Sequence, residues 1–245
     1  MSVINTHNRN GVMEEQIAEA SLPFKARMGG VLYLIIIIGG LFGAGYVPSM
    51  IVVHGDAAAT VNNILINESL YRFGLGVHII VVLCNIPLAV IFYDLFKFAN
   101  KSLSRLVMLF ILVAATIEGV SLLNKFVPLI LLQSAAIMTA EQLQATAYMH
   151  FLLHEIGFNL SLAFFGCYCL LAGYLIFRLG VLPRIIGLLL AIGGACYLIN
   201  SFANFLVPEF AVSLLPYIFI PCFFGEATLC LSLLIKGVNL EQKVI

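Results

Sequence analysis

The sequence predicts an all-α polytopic membrane bundle of six transmembrane helices, with both termini cytoplasmic and a short ordered outer segment between helices one and two. Three observations carry this. Of the 245 residues, 62% are hydrophobic and 10% charged, with a mean hydropathy of +1.09, whereas a soluble domain carries about a quarter charged residues. Apolar runs recur six times, and about 20 residues at 1.5 Å each suffice to cross roughly 30 Å of hydrocarbon. The basic residues also gather on alternate connections, as the bias of Lys and Arg toward the cytoplasmic face requires.

The spans are expected at 29–53, 74–95, 106–132, 145–177, 185–207 and 211–235. The domain organisation that follows is a polar cytoplasmic tail over 1–28, a six-helix membrane domain over 29–236 and a cytoplasmic tail over 237–245. Because the first apolar run is too long for a signal-peptide core, the first span is expected to stay uncleaved. Arg9, Lys25 and Arg27 precede span one; Lys97, Lys101 and Arg105 follow span two; Arg178 and Arg184 follow span four; Lys236 and Lys243 end the chain. Only Arg72 and Lys125 remain for the other side. A five-span or seven-span reading would scatter these clusters over both faces.

Within span one, Gly39 and Gly43 form a small-xxx-small pair that permits close helix approach. The outer segment, 54–74, carries Asp56 at the N-cap of a short Ala-rich helix, followed by Asn62, Asn63 and Arg72. With no tryptophan in the chain, an interfacial belt has to come from tyrosines such as Tyr46, Tyr71, Tyr148 and Tyr217. No internal repeat supports an inverted-repeat transporter.

The formal charge of zero gives no net attraction to nucleic acid, so no nucleic-acid partner is expected. All six cysteines lie in apolar runs, where a thiol acts as a small hydrophobe, and no disulfide framework is expected. Cys167 and Cys169 point to nearly opposite sides of a helix, against a shared metal.

Ionisable groups at membrane depth cost several kcal/mol unless paired or hydrated, so they are the functional clues in such a chain. Span three carries Glu118, Ser121, Asn124 and Lys125. Glu118 and Lys125, seven residues apart, stand about 10 Å from one another along the helix, too far for a direct pair. Each therefore needs a partner elsewhere. Span four carries His150, His154, Ser161 and Tyr168 as one polar seam, with Glu155 and Asn159 beside it. Span five offers Tyr197, Asn200 and Asn204 on one side; span two offers His78 and Asn85; span six has Glu226 after Pro216 and Pro221, which should kink or loosen it. These positions predict a polar pocket open to the outside, bounded by Glu118, Asn124, Lys125, His154, Asn200, Asn204 and Glu226.

The cofactor is open. His150 and His154, four apart on one helix, could share a transition metal with Glu118 and Glu226, although His-Phe-Leu-Leu-His-Glu does not place Glu directly after the first His as the zincin motif does. His78 facing either histidine could hold a haem, with no attachment motif to support it. The structural alternative is that each carboxylate locks the bundle, that the asparagines bond between helices, and that His78 is a satisfied bundle histidine.

The segments GDAAATVNNIL with ESLYRFG, IEGVSLLN, HEIGFNLSLAFFGCYCLLAGYLIFRLGVLPRIIGLLL with YLINSFA, and GEATLCLSLLIKGV together resemble the bacterial membrane proteins catalogued as a domain of unknown function, number 4386. The resemblance spans about 25–238 and implies a multi-helix protein of the bacterial cytoplasmic (inner) membrane, with no reaction attached. The polar positions that match are Asp56, Asn62, Asn63, Arg72, Glu118, Asn124, His154, Arg178, Pro183, Arg184, Ser201 and Glu226. His78 and His150 stand outside that pattern, which weakens a metal or haem site built on them.

Three functions compete, all with the lipid bilayer as surroundings. The first is binding or transport of a small or lipid-like molecule in the polar pocket. The second is a metal-assisted intramembrane lipid hydrolase using His154 with Glu118 or Glu226, which requires His154 within about 8 Å of a carboxylate if both are to reach one ion. The third is a sensor, immunity or assembly partner that docks through the outer segment.

Overall fold

In the computed structural model, the residues described are 22–133, 138–180 and 182–238, with the side chains of 132 and 133 left aside. They form helices and no strands. Helix α1 runs Leu22–Ile51, α2 Ala57–Ile66, α3 Glu68–Phe96, α4 Lys101–Gln133, α5 Ala140–Leu179, α6 Arg184–Leu206, α7 Pro208–Leu214 and α8 Phe219–Ile235. Helices α1, α3, α4, α5 and α6 are each long and apolar enough to cross a membrane; α7 and α8, bent by 56° across a short break, together make the sixth candidate span.

Large apolar side chains cover the outside of the bundle, among them Ile38, Leu83, Leu123, Leu188 and Leu231. That is the surface a lipid solvent selects, because hydrocarbon offers nothing to bond a polar group and no penalty for an apolar one. The interior core is built from Tyr33, Phe92, Leu95, Phe96, Leu175, Ile176 and Leu190 among others.

The helices reach further than the apolar runs suggest. α1 begins at Leu22, α3 already at Glu68, and α5 is 40 residues long, opened by a capping box in which Thr139 and Gln142 bond each other's backbone N–H. The expected outer segment is consequently shorter: α2 ends at Ile66 and Arg72 belongs to α3. Asp56 caps α2 as expected, its Oδ1 accepting the Ala59 N–H at 2.8 Å. Residues 1–21 of the expected N-terminal tail and 239–245 of the C-terminal tail lie outside the described residues.

Two local departures position the site. Residues Leu41–Tyr46 of α1 are a π-turn. Pro48 supplies no N–H to the Ala44 carbonyl, and a wider turn just before it accommodates the missing bond. The sixth span breaks at 215–218, around Pro216, while Pro221 sits harmlessly in the first turn of α8. The kink expected of these prolines is thus placed at the first of them.

Close helix contact follows the small residues. Gly43 of α1 lies against the Gly74 carbonyl and His78 of α3, and Gly39 against Val77 and Val81. Between α5 and α6, Gly166 faces Gly194 and Gly173 faces Gly187, so near that an added Cβ at Gly173 would stand 2.5 Å from the Gly187 carbonyl oxygen.

Candidate functional site

All six candidate spans contribute to one cavity of about 480 Å³. α1 supplies Ile36, Gly40, Leu41, Ala44 and Gly45, so the π-turn forms part of the wall. α8 and the break before it supply Pro216, Phe219, Phe223 and Glu226. A Cβ at Gly40 or Gly45 would meet nothing within 4 Å. The wall is mostly apolar; apart from Asn85, its polar side chains fall in two clusters.

The first cluster joins three helices. His78 of α3 and Glu118 of α4 approach to 2.5 Å between Nε2 and Oε1, while Ser161 of α5 donates to Glu118 Oε2 at 3.0 Å. His154, two turns before Ser161, sets its ring edge-on to that of His78, centroids 5.9 Å apart and planes at 85°. His78, Glu118 and His154 are 3%, 8% and 4% exposed, and one ligand atom from each falls within 4.8 Å of the other two. His78 Nδ1 has no hydrogen-bond partner.

The second cluster centres on Glu226, whose Oε1 accepts from Tyr197 Oη at 2.5 Å. Phe165 packs edge-on against both Tyr197 and Tyr168, and Tyr168 shares a 2.7 Å hydroxyl bond with Tyr33 of α1. The seam of α5 therefore spends His154 on α3, Ser161 on α4 and Tyr168 on α1, one partner helix for each step of seven residues.

Of the residues expected around a pocket, Glu118 and Glu226 line the cavity. The others are engaged beside it. Asn124 Oδ1 meets His150 Nδ1 at 2.9 Å. Asn200 donates to Asn159 at 3.0 Å, and Asn204 to the Asn200 carbonyl of its own helix. Lys125, 4% exposed, holds its ammonium over the Phe151 ring, and its carbonyl accepts from Tyr71 Oη at 2.7 Å. Tyr71 is consequently buried, at 2% exposure, and does not serve in an interfacial belt as expected of it; Tyr46 and Tyr217 are exposed. His150 bonds Asn124 and Glu226 bonds Tyr197, and neither belongs to the group whose ligand atoms converge on Glu118. His154 and Glu118 do meet, well inside 8 Å, with His78 as the third member. Sequence reading singled out His78 and Asn85 as one face of α3; both line the cavity. Tyr33 carried no sequence signal, since its partner is 135 residues away.

The segment between the first two long helices is tied down. Asn63 donates to the Ile51 carbonyl at 3.1 Å, and Tyr148 of α5 accepts the Gly55 N–H at 2.7 Å. Asn62 is exposed, and Arg72 pairs with Glu68 on the surface.

Helices of this length and apolarity, sharing one internal cavity, define a multi-pass helical membrane protein. The chain belongs to the family described as Domain of unknown function (DUF4386), whose profile matches residues 28–237. It is 28% identical over 169 residues to an uncharacterized protein of the archaeon Archaeoglobus fulgidus, a match covering 69% of this chain and 86% of that one. No solved structure matches it.

Proposed function

We propose that this protein binds a lipid-like molecule, one long apolar arm with a small hydrogen-bonding head, in the cavity among its six spans. The observation that carries the reading is the cavity itself: about 480 Å³, within the range of roughly 300–1,000 Å³ typical of small-ligand sites. Its walls combine aliphatic and aromatic side chains with Glu118, Ser161, Tyr197 and Glu226. Such a wall suits an amphipathic occupant, because the apolar arm loses nothing on leaving lipid and the head finds partners that hydrocarbon lacks. The π-turn of α1 and the break before α8 border the cavity, and irregular backbone of this kind is tolerated at membrane depth where it lines a cavity.

The setting we propose is the bacterial cytoplasmic membrane, with a membrane domain over 29–236 and cytoplasmic tails on either side. Ten of the twelve basic residues favour it by the rule for cytoplasmic loops. Lys25 at the start of α1 pairs with Asp94 at the end of α3 at 2.5 Å, and Gly237 beyond α8 lies near Pro23, which is consistent with those clusters sharing one face.

The test is native mass spectrometry of the detergent-purified protein beside Gly40→Phe, which places a large side chain where Gly40 now borders open space. The wild type is expected to carry a small amphipathic adduct that Gly40→Phe loses while still running as a folded species. A wild type free of adducts, and unchanged in thermal stability by added lipid, would contradict the proposal.

A further inference from the structure

We propose that His78, Glu118 and His154 bind a divalent transition-metal ion, with one coordination position left open toward the cavity. This goes beyond the cavity reading, which needs no metal. Two imidazoles and one carboxylate with a vacant fourth position form an established donor set for Zn2+, and a similar set serves Fe2+. Here the three donors come from three different helices, α3, α4 and α5, and their ligand atoms already lie within 4.8 Å of one another. Ligands about 2.0–2.2 Å from a common ion stand roughly 3–3.5 Å apart, so side-chain adjustments of about an ångström complete the set.

The hydrogen bonding distinguishes an ion site from a bundle lock. A lock would use its donors and acceptors on each other. In this cluster Glu118 Oε1 meets His78 Nε2 at 2.5 Å, but His78 Nδ1 is left without a partner although the residue is more than nine-tenths buried. A cation would take the place of the His78–Glu118 pair, with His154 supplying the third ligand atom. Glu118's other oxygen is fixed by Ser161 at 3.0 Å, the kind of supporting bond that orients a metal-binding carboxylate. The perpendicular histidine rings converge from neighbouring helices. His78, Glu118 and Ser161 line the cavity, so water or an oxygen of the cavity's occupant can reach the open position.

The two other residues in the set expected from sequence are engaged elsewhere, His150 by Asn124 and Glu226 by Tyr197. That difference supplies the test. Full-length protein made without a metal-affinity tag is loaded with Zn2+, freed of excess ion and assayed for metal by mass spectrometry. About one ion per chain is expected for the wild type and for His150→Ala, falling at least tenfold in His154→Asn and in Glu118→Gln. Co2+ loading of the wild type is expected to give visible ligand-field bands, a readout that stands even if a variant fails to fold. A monodisperse wild type that takes up no Zn2+ and shows no Co2+ bands would overturn the proposal, as would retention of the ion in both cluster variants. Bound lipid without metal would reject this site alone, and metal without bound lipid would reject only the cavity reading.

Discussion

At the scale of single residues, the polar groups divide into those that join helices and those that face the cavity. Tyr197 does both, because its hydroxyl satisfies Glu226 while its ring stays in the wall. Tyr197→Phe removes a donor from a buried acceptor, a change expected to cost about 1–3 kcal/mol; equilibrium unfolding in mixed detergent would show it, and an unchanged midpoint would mean that Tyr33 satisfies Glu226 by itself. Gly157 is a steric counterpart. A Cβ there would run into the Ser121 side chain of α4, so Gly157→Ala is expected to destabilise by about 1–3 kcal/mol, with much of the loss recovered by adding Ser121→Gly. These residues differ in how far they could be read beforehand. The seam through His154, Ser161 and Tyr168 was legible because a helix repeats its face every seven residues or so. Its partners were not, since His78, Glu118 and Tyr33 reach it only through packing between helices far apart in sequence.

At the scale of elements, each span was visible as an apolar run, but the helix ends were not, because polar turns of helix continue past the apolar stretch. The capping box at Thr139 and the early start of α3 at Glu68 show this. The N-cap of α2 was readable, since Asp56 directly precedes the alanines it caps. Asp56→Ala is expected to loosen α2 by about 1 kcal/mol, seen as faster amide exchange over Ala57–Ile66 with little change in α3; protection unaltered throughout α2 would show that Asn63 and Tyr148 hold the element without its cap. The contact between α5 and α6 is a backbone contact at Gly173 and Gly187, where no side chain can rotate away. Gly173→Ala is therefore expected to separate the two helices and lower the melting temperature, more than the same change at Gly76, where a Cβ meets open space. The π-turn of α1 was beyond sequence reading even though Pro48 was in view, because a proline in a helix can be met by a kink, a wider turn or a neighbouring helix.

At the scale of the whole molecule, composition settled the class and the basic residues suggested the orientation. Cysteines introduced at Asn62, on α2, and at Lys101, at the start of α4, provide a check: an impermeant maleimide applied to intact cells is expected to label the first and not the second. The reverse pattern would turn the protein over in the membrane without altering its cavity. The cavity was only half legible, because charge and hydropathy locate polar residues by depth but do not say which of them remain on a wall after helices have paired. Asn124, Asn200 and Asn204 were expected there and are bonded beside it, whereas Glu118 and Glu226 remain on the wall. The central claim, that a lipid-like molecule occupies this space, is tested most directly by photo-crosslinking with a diazirine-bearing lipid analogue and mapping the adducts by peptide mass spectrometry. Adducts concentrated on cavity residues such as Ile37, Phe219 and Phe223, and displaced by excess unlabelled lipid, are what the structure leads us to expect. Adducts confined to outward-facing residues such as Ile80 and Leu160, with none in the cavity, would contradict it.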